Sequence, residues 1–455
     1  MKLLLAIYFS IQAFAADPLS APAAGVLPPP TGERYKNLEL FQKVLHFIEQ
    51  NYVEEVKNED LIKGAIKGMM DTLDPHSNFL PPDVFKDIKI DTSGKFGGLG
   101  IEITTQDNVL TVVSPIEDTP AWRAGIKPGD RIVKINGEST KGLSLVEAVA
   151  KMRGSHGSAV KLTIYRQGFE KFKDVSVTRE LIKIRSVKSE SLDHGFGYVR
   201  LTQFNESAAH DMKEAIDALN RKAKLKGLVL DLRTNPGGLL DQAVEVSSLF
   251  IDEGVIVSTM GRNKSQKEVK HAKPGMAYKD LPLVILANSS TASAAEIVAG
   301  ALQDHKRAVV MGQPTFGKGS VQTVIELGND MGLKLTIARY YTPSGRSIQE
   351  KGVMPDILLD EYDPKLLAKA KIKREAQREK DLKGHIVNEE KDGEESMRNK
   401  EQEEFSKDEL DMLGKKKTDD SKEDMTPLKY APKEDYQVQT AVNFLKSFEV
   451  FKKIK

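Results

Sequence analysis

Three short stretches hold residue types that could perform acyl transfer. They are Asp231-Leu232-Arg233-Thr234-Asn235-Pro236-Gly237-Gly238, Asn288-Ser289-Ser290-Thr291-Ala292-Ser293-Ala294-Ala295-Glu296 and Gly312-Gln313-Pro314-Thr315-Phe316-Gly317-Lys318-Gly319. A serine hydroxyl attacks a carbonyl only once a base removes its proton. A serine at a helix N-terminus also lies beside N–H groups without intrahelical acceptors, and these can hold a developing oxyanion. Gly237 and Gly238 can bring another N–H close with no side chain in the way. The chain has 455 residues and no cysteine, which excludes disulfides, thiolate zinc sites, iron–sulfur clusters and a cysteine nucleophile. No metal or cofactor is expected.

The base is the harder choice. None of the eight histidines sits in these stretches. His305 follows the helix after the serines, about three turns along it, and His194 and His210 flank an earlier strand–helix pair, so a Ser-His-Asp triad is disfavoured. Lys318 is better placed, between glycines. A lysine serves only when neutral, so its reference pKa of about 10.4 must fall by several units, which burial near Phe316 and the neighbouring sheet could achieve. Gln322, four residues on, could orient the amine without adding charge. The alternative is an ordinary solvated lysine. Gly312-x4-Gly317-Lys318 also matches the front of a nucleotide-binding P-loop, but Gly319 replaces the Ser or Thr that binds Mg²⁺. Ser320-Val321-Gln322-Thr323-Val324-Ile325 reads as a strand, where a P-loop must open a helix. Ser289 and Ser290 lie early, between strand and helix, which favours Ser293 as nucleophile. Ser290 or Thr291 is expected to cap the helix, with Glu296 as a capping-box partner.

The elements around these stretches alternate. Strands are expected over 197–204, 227–232, 255–260, 281–287 and 308–311, with helices over 207–221, 238–250 and 294–303. This order predicts a mainly parallel sheet covered by helices, with ligands beyond the carboxyl ends of the strands. Residues 95–180 differ, with short strand-like runs and one helix near 144–152. There Phe96-Gly97-Gly98-Leu99-Gly100-Ile101 could form a nest of N–H groups that accepts a carboxylate, followed by a strand able to pair with an extended peptide. That loop, with Ala124-Gly125-Ile126-Lys127-Pro128-Gly129-Asp130-Arg131-Ile132 and Ile135-Asn136-Gly137, resembles PDZ domains. The resemblance implies that Gly98, Leu99, Gly100 and Ile101 bind a protein C-terminus with an apolar last side chain.

The fold class is therefore multidomain α/β: N-terminal helices, a PDZ-like small β-rich domain, and an α/β core with a mainly parallel sheet. Residues 1–16 read as a signal peptide, with Lys2, an apolar run over 3–14 and an Ala13-Phe14-Ala15 cleavage site. That run is too short to span a bilayer, so the expectation is an exported, soluble chain in the periplasm or another extracytoplasmic compartment. Residues 17–33 hold five prolines and read as a linker, and 34–94 as a helical region. The PDZ-like domain occupies 95–180, the core 181–365, a charged low-complexity linker 366–430 and a terminal helix 431–455. The net charge of +1 makes nucleic acid no default partner. It also hides an uneven distribution. Residues 371–424 carry 14 Lys+Arg and 18 Asp+Glu, net −4, and the rest of the chain is net +5 at an ordinary charge density.

Taken together, residues 38–357 and the C-terminus resemble the carboxyl-terminal processing peptidases, also called tail-specific proteases. The resemblance implies a serine endopeptidase that recognises protein C-termini through its PDZ domain and cleaves through an acyl-enzyme. It places the nucleophile at Ser293, the general base at Lys318 and their helper at Gln322. The oxyanion donors fall on Ala294 and on Gly237 or Gly238. Substrates would be unfolded or tagged proteins with apolar C-termini. A homo-oligomer and an adaptor protein stay open, as do two alternatives, a noncatalytic PDZ-bearing scaffold and a P-loop-like nucleotide binder.

Overall fold

The computed structural model describes residues 32–106, 109–116, 118–166, 171–263, 265, 267–275, 278–360, 378–386 and 431–454. The signal peptide and nearly all of the proline-rich linker expected from the sequence lie outside these, as does most of the charged stretch.

The N-terminal region comprises α1 (Gly32–Asn51), α2 (Asn58–Asp71), β1 (Asn78–Leu80) and α3 (Pro82–Ser93). Its apolar period forms α1 as expected, yet no residue of that helix is buried. The β-rich module follows: β2 (Lys95–Gly98), β3 (Ile101–Gln106), β4 (Val109–Pro115), α4 (Pro120–Arg123), β5 (Arg131–Ile135), β6 (Glu138–Ser139), α5 (Leu145–Met152), β7 (Ala159–Tyr165) and β8 (Lys173–Thr178). Strands run in the order β3-β4-β5-β7-β8, so β3 is an edge strand. The module has its own core, including Leu99, Val112, Ile132, Ala148 and Leu162. Its two ends meet where β2 pairs antiparallel with β9 (Glu180–Lys183).

The remaining elements are β10 (Val187–Ser191), β11 (Phe196–Leu201), α6 (Ala208–Lys222), β12 (Gly227–Asp231), α7 (Leu240–Ser248), β13 (Val255–Gly261), β14 (Lys267–His271), β15 (Leu283–Ala287), α8 (Ala294–Asp304), β16 (Val309–Gly312), β17 (Ser320–Gly328), β18 (Met331–Tyr341), β19 (Ile357–Leu358) and α9 (Tyr436–Ile454). The central sheet has the order β10-β11-β12-β15-β16-β19. Its pairings are parallel from β11 to β19, and β10 joins antiparallel. Alternate residues face opposite ways along a strand. Leu228 and Leu230 share a core with α6, α7 and α8 through Met212, Ile216, Val246 and Val298. Val229 faces the other side, with Val438, Ala441, Val442 and Leu445 of α9. Both faces are covered, which is why the strand centres are continuously apolar.

The expected place of β13 in this sheet is corrected by the structure. It pairs antiparallel with β14 and β18, in a second sheet ordered β1-β18-β13-β14, with β17 also on β18. The cause lies later in the chain. Asn329 and Asp330, at φ 50° and 57°, form the two-residue turn that matches strand twist in a hairpin. The eleven-residue β18 thereby offers β13 a long antiparallel edge. One part of the charged stretch also departs from a solvated linker: residues 379–381 form a 3-10 turn, and Glu379 is 0% exposed. It is buried because it has polar partners, described below.

Candidate active site

The three loops singled out in the sequence follow β12, β15 and β16, which are adjacent parallel strands. Their carboxyl ends therefore converge. Ser293 is the N-cap of α8, at φ 54° and ψ −118°. A non-glycine residue in such a conformation costs roughly 1–3 kcal/mol and persists only where its surroundings hold it. The expected cap at Ser290 or Thr291 is thus corrected. Thr291 is buried, and its hydroxyl donates to the Leu232 carbonyl (2.9 Å) and accepts from the Asn288 N–H (2.9 Å), joining two strand ends.

What holds Ser293 is mainly Glu296. This fully buried carboxylate accepts the Ser293 N–H at 2.8 Å, so its capping partner is Ser293 and not the expected Ser290 or Thr291. It also accepts from the loop after β16: the Thr315 hydroxyl at 2.5 Å, the Gly317 N–H at 2.8 Å and the Lys318 N–H at 2.9 Å. The N–H groups of Ser293 and Lys318 go to the same oxygen. Burial pushes the Glu296 carboxyl up to about 7, with the four donors pulling the other way. Tyr340 of β18 adds a second bridge. It is fully buried, its hydroxyl donates to the Lys318 carbonyl, and it hydrogen-bonds the Ser293 side chain.

The Lys318 amine has no hydrogen-bond or ion-pair partner among the described residues. Burial lowers its pKa to about 8, helped by the like charge of Lys334 and opposed by Glu379, Glu296 and Asp74. The expected orienting bond from Gln322 is absent here. Its amide donates to the Ser320 hydroxyl (2.9 Å) and the Thr336 hydroxyl (3.3 Å). Gly319 is required by close approach, since a Cβ there would lie 2.6 Å from the Gln349 nitrogen.

The loop after β12 lies against the serine. A Cβ on Gly237 would sit 2.7 Å from the Ser293 Cβ. The Gly237 N–H donates to Asn235 Oδ1 at 2.8 Å. The N–H groups of Gly238 and Ala294 meet no acceptor among the described residues. Asn235 is buried, donates through its amide to the Leu201 carbonyl (2.7 Å), and accepts the Ala292 N–H at its own carbonyl (2.9 Å). The loop is further tied down by Asp231, which accepts from Tyr198 (2.6 Å) and Arg233 (2.7 Å), while Arg233 reaches Asp435 and Gln437 at the start of α9. The histidines lie elsewhere. His305 caps the far end of α8, roughly 18 Å from Ser293 along the axis, and bonds the Val255 carbonyl.

In the β-rich module, β2 ends at Gly98 and β3 begins at Ile101. The N–H groups of Leu99 and Gly100 between them have no acceptor among the described residues. Tyr340, Asn235 and Glu379 were not singled out in the sequence. Asn235 lies inside a loop that was, but nothing local marks a buried tyrosine 22 positions from the lysine it touches.

A strained serine tied through Glu296 to a half-buried lysine whose amine has no partner among the described residues, on a chain that also carries a separate β-rich module, fits a serine-type peptidase. Comparison with known proteins agrees. Peptidase family S41 matches residues 195–359, the PDZ domain family 111–166, and the N-terminal domain of the activating protease CtpB 17–83. The chain is 44% identical over 383 residues to the carboxy-terminal-processing protease of Bartonella bacilliformis, covering 84% of this chain and 87% of that protein. It is 40% identical to the carboxy-terminal processing protease CtpA of Bacillus subtilis (69% and 67% covered), and 37% identical to the carboxyl-terminal-processing protease of Synechocystis (69% and 75% covered). The chain belongs to the carboxyl-terminal processing proteases of peptidase family S41.

Proposed function

We propose that this peptidase captures the carboxylate end of a polypeptide on its PDZ domain and cleaves the chain with a Ser293–Lys318 dyad. One observation carries the reading: a single oxygen of Glu296 accepts the backbone N–H of both Ser293 and Lys318. Neutral Lys318 takes the Ser293 proton as Oγ bonds to the scissile carbonyl carbon. The lysine then protonates the leaving amine, and water releases the acyl group from Ser293. Ala294 and Gly238 are the oxyanion donors, because the Gly237 N–H is already engaged by Asn235. Gln322 acts through Ser320 and Thr336 to shape the base loop.

Leu99 and Gly100 accept the substrate carboxylate, flanked by Gly98, and the edge strand from Ile101 pairs with the peptide. The signal peptide directs export and is cut after Ala15, so the working enzyme is extracytoplasmic. No helix among the described residues is long and apolar enough to cross a membrane. Substrates are unfolded or tagged proteins with apolar tails.

The test is incubation of wild type, Ser293→Ala and Lys318→Ala with an unfolded protein ending in apolar residues, its carboxylate free or amidated, with products read by mass spectrometry. Wild type should cut the free-tailed form in preference, and both variants should be folded and silent. Turnover by either variant overturns the dyad, and equal cutting of the amidated form overturns the PDZ role. The intact mass of enzyme from fractionated cells should begin at Ala16.

A further inference from the structure

Within residues 378–386 of the charged stretch, Arg378 and Glu379 bond the loop that carries Lys318. The Glu379 N–H donates to the Phe316 carbonyl at 3.2 Å. The Arg378 guanidinium donates to the carbonyls of Thr315 (2.9 Å) and Lys351 (2.7 Å). Gln349 joins the other side of the lysine, accepting the Gly319 N–H at 2.9 Å and donating to Glu379 at 3.1 Å. His76, from the turn after α2, contacts both Glu379 oxygens at 2.8 Å. His385 bonds Glu350 and closes the strap. A fully buried carboxylate is costly unless several partners satisfy it, and here it has them. In a stretch where 32 of 54 residues are charged, this placement is specific and not a solvated accident.

The geometry points to Glu379 as a positioning residue that anchors the base loop and adds a negative charge to the surroundings of Lys318. The inference rests on Lys318 being the base. In the proton transfer, the Ser293 proton moves to the lysine nitrogen, and the resulting ammonium is stabilised by the nearby carboxylate. The charged groups around that amine are Lys334 from β18, Glu296 from α8, Asp74 from the turn after α2, and Glu379. Only Lys334 disfavours the ammonium, and Glu379 is the strongest of the three that favour it. A negative neighbour raises an amine's pKa, so its removal makes Lys318 neutral at lower pH and also a weaker base.

The test is the pH dependence of peptide cleavage by full-length Glu379→Gln, Glu379→Asp and Arg378→Ala enzymes. Glu379→Gln should move the rising limb of kcat/KM to lower pH and lower the high-pH plateau of kcat by roughly 3- to 10-fold. Glu379→Asp should restore the limb. Arg378→Ala, which unfastens the strap from Thr315 and Lys351, should move the limb in the same direction as Glu379→Gln and decides the matter if the latter does not fold. A folded Glu379→Gln, or in its absence Arg378→Ala, with the wild-type limb and plateau overturns the role of Glu379. Activity in Lys318→Ala instead removes the reading beneath it, so the two failures are distinguishable.

Discussion

A lysine can be a general base near neutral pH only if something removes its charge preference. For Lys318 that is burial, with Lys334 assisting, and the result is a pKa of about 8. Below that value the neutral fraction, and with it kcat/KM, should climb about tenfold per pH unit and level off above it. Lys334→Gln deletes a positive neighbour, so the ammonium becomes easier to form and the limb should move to higher pH. At pH 7 the variant should be several-fold slower with its plateau kept. A limb that stays in place would show that Lys334 does not act on the base. In the sequence, position favours Ser293 over Ser289 and Ser290, whereas the base role of Lys318 rests on the family resemblance, because a loop lysine read alone is as readily ordinary solvated surface. The partner of the lysine was not legible. Spacing suggested Gln322, whereas the bonds made by that amide go to Ser320 and Thr336, because its strand turns it toward β18.

At the scale of elements, the site depends on α8 beginning at a strained serine. The sequence placed the cap at Ser290 or Thr291, whereas Glu296 accepts the N–H of Ser293 three residues before it. Its three further donors come from residues 315–318, a strand away, which no local pattern can reveal. Glu296→Gln offers an amide N–H₂ where N–H donors already point. At least one donor is left unsatisfied, at about 1–3 kcal/mol each, and the serine and lysine loops separate. The variant should have a lower Tm and a kcat down by roughly 100-fold, with KM little changed. A variant with wild-type kcat would show that the clamp does not position the dyad. The misassigned β13 has a similar lesson. Its own sequence reads as a core strand, and only the distant β17–β18 hairpin decides which sheet it joins.

At the scale of the molecule, most of the architecture was visible in composition and period: helices, a glycine-rich β module, alternating strands and helices, and an apolar terminal helix. The terminal helix expected over 431–455 packs on the chain's own core. Val438, Ala441, Val442 and Leu445 lie against the central sheet, and Asp435 and Gln437 hold Arg233 of the glycine loop. The chain's end therefore supports the site from behind. The charge count separated a mixed-sign insertion from an ordinary core, but charge density could not show that Glu379 would be buried beside the base, since that depends on His76 and Gln349, far away in sequence. In the proposed mechanism these supports serve one event, attack by Ser293. The most direct measurement is acid quenching during turnover of an apolar-tailed polypeptide, followed by peptide mapping of the enzyme by mass spectrometry. An acyl adduct on Ser293, absent from Ser293→Ala, is the expected result. An adduct on Ser289 or Ser290, or undiminished turnover in Ser293→Ala, would contradict it.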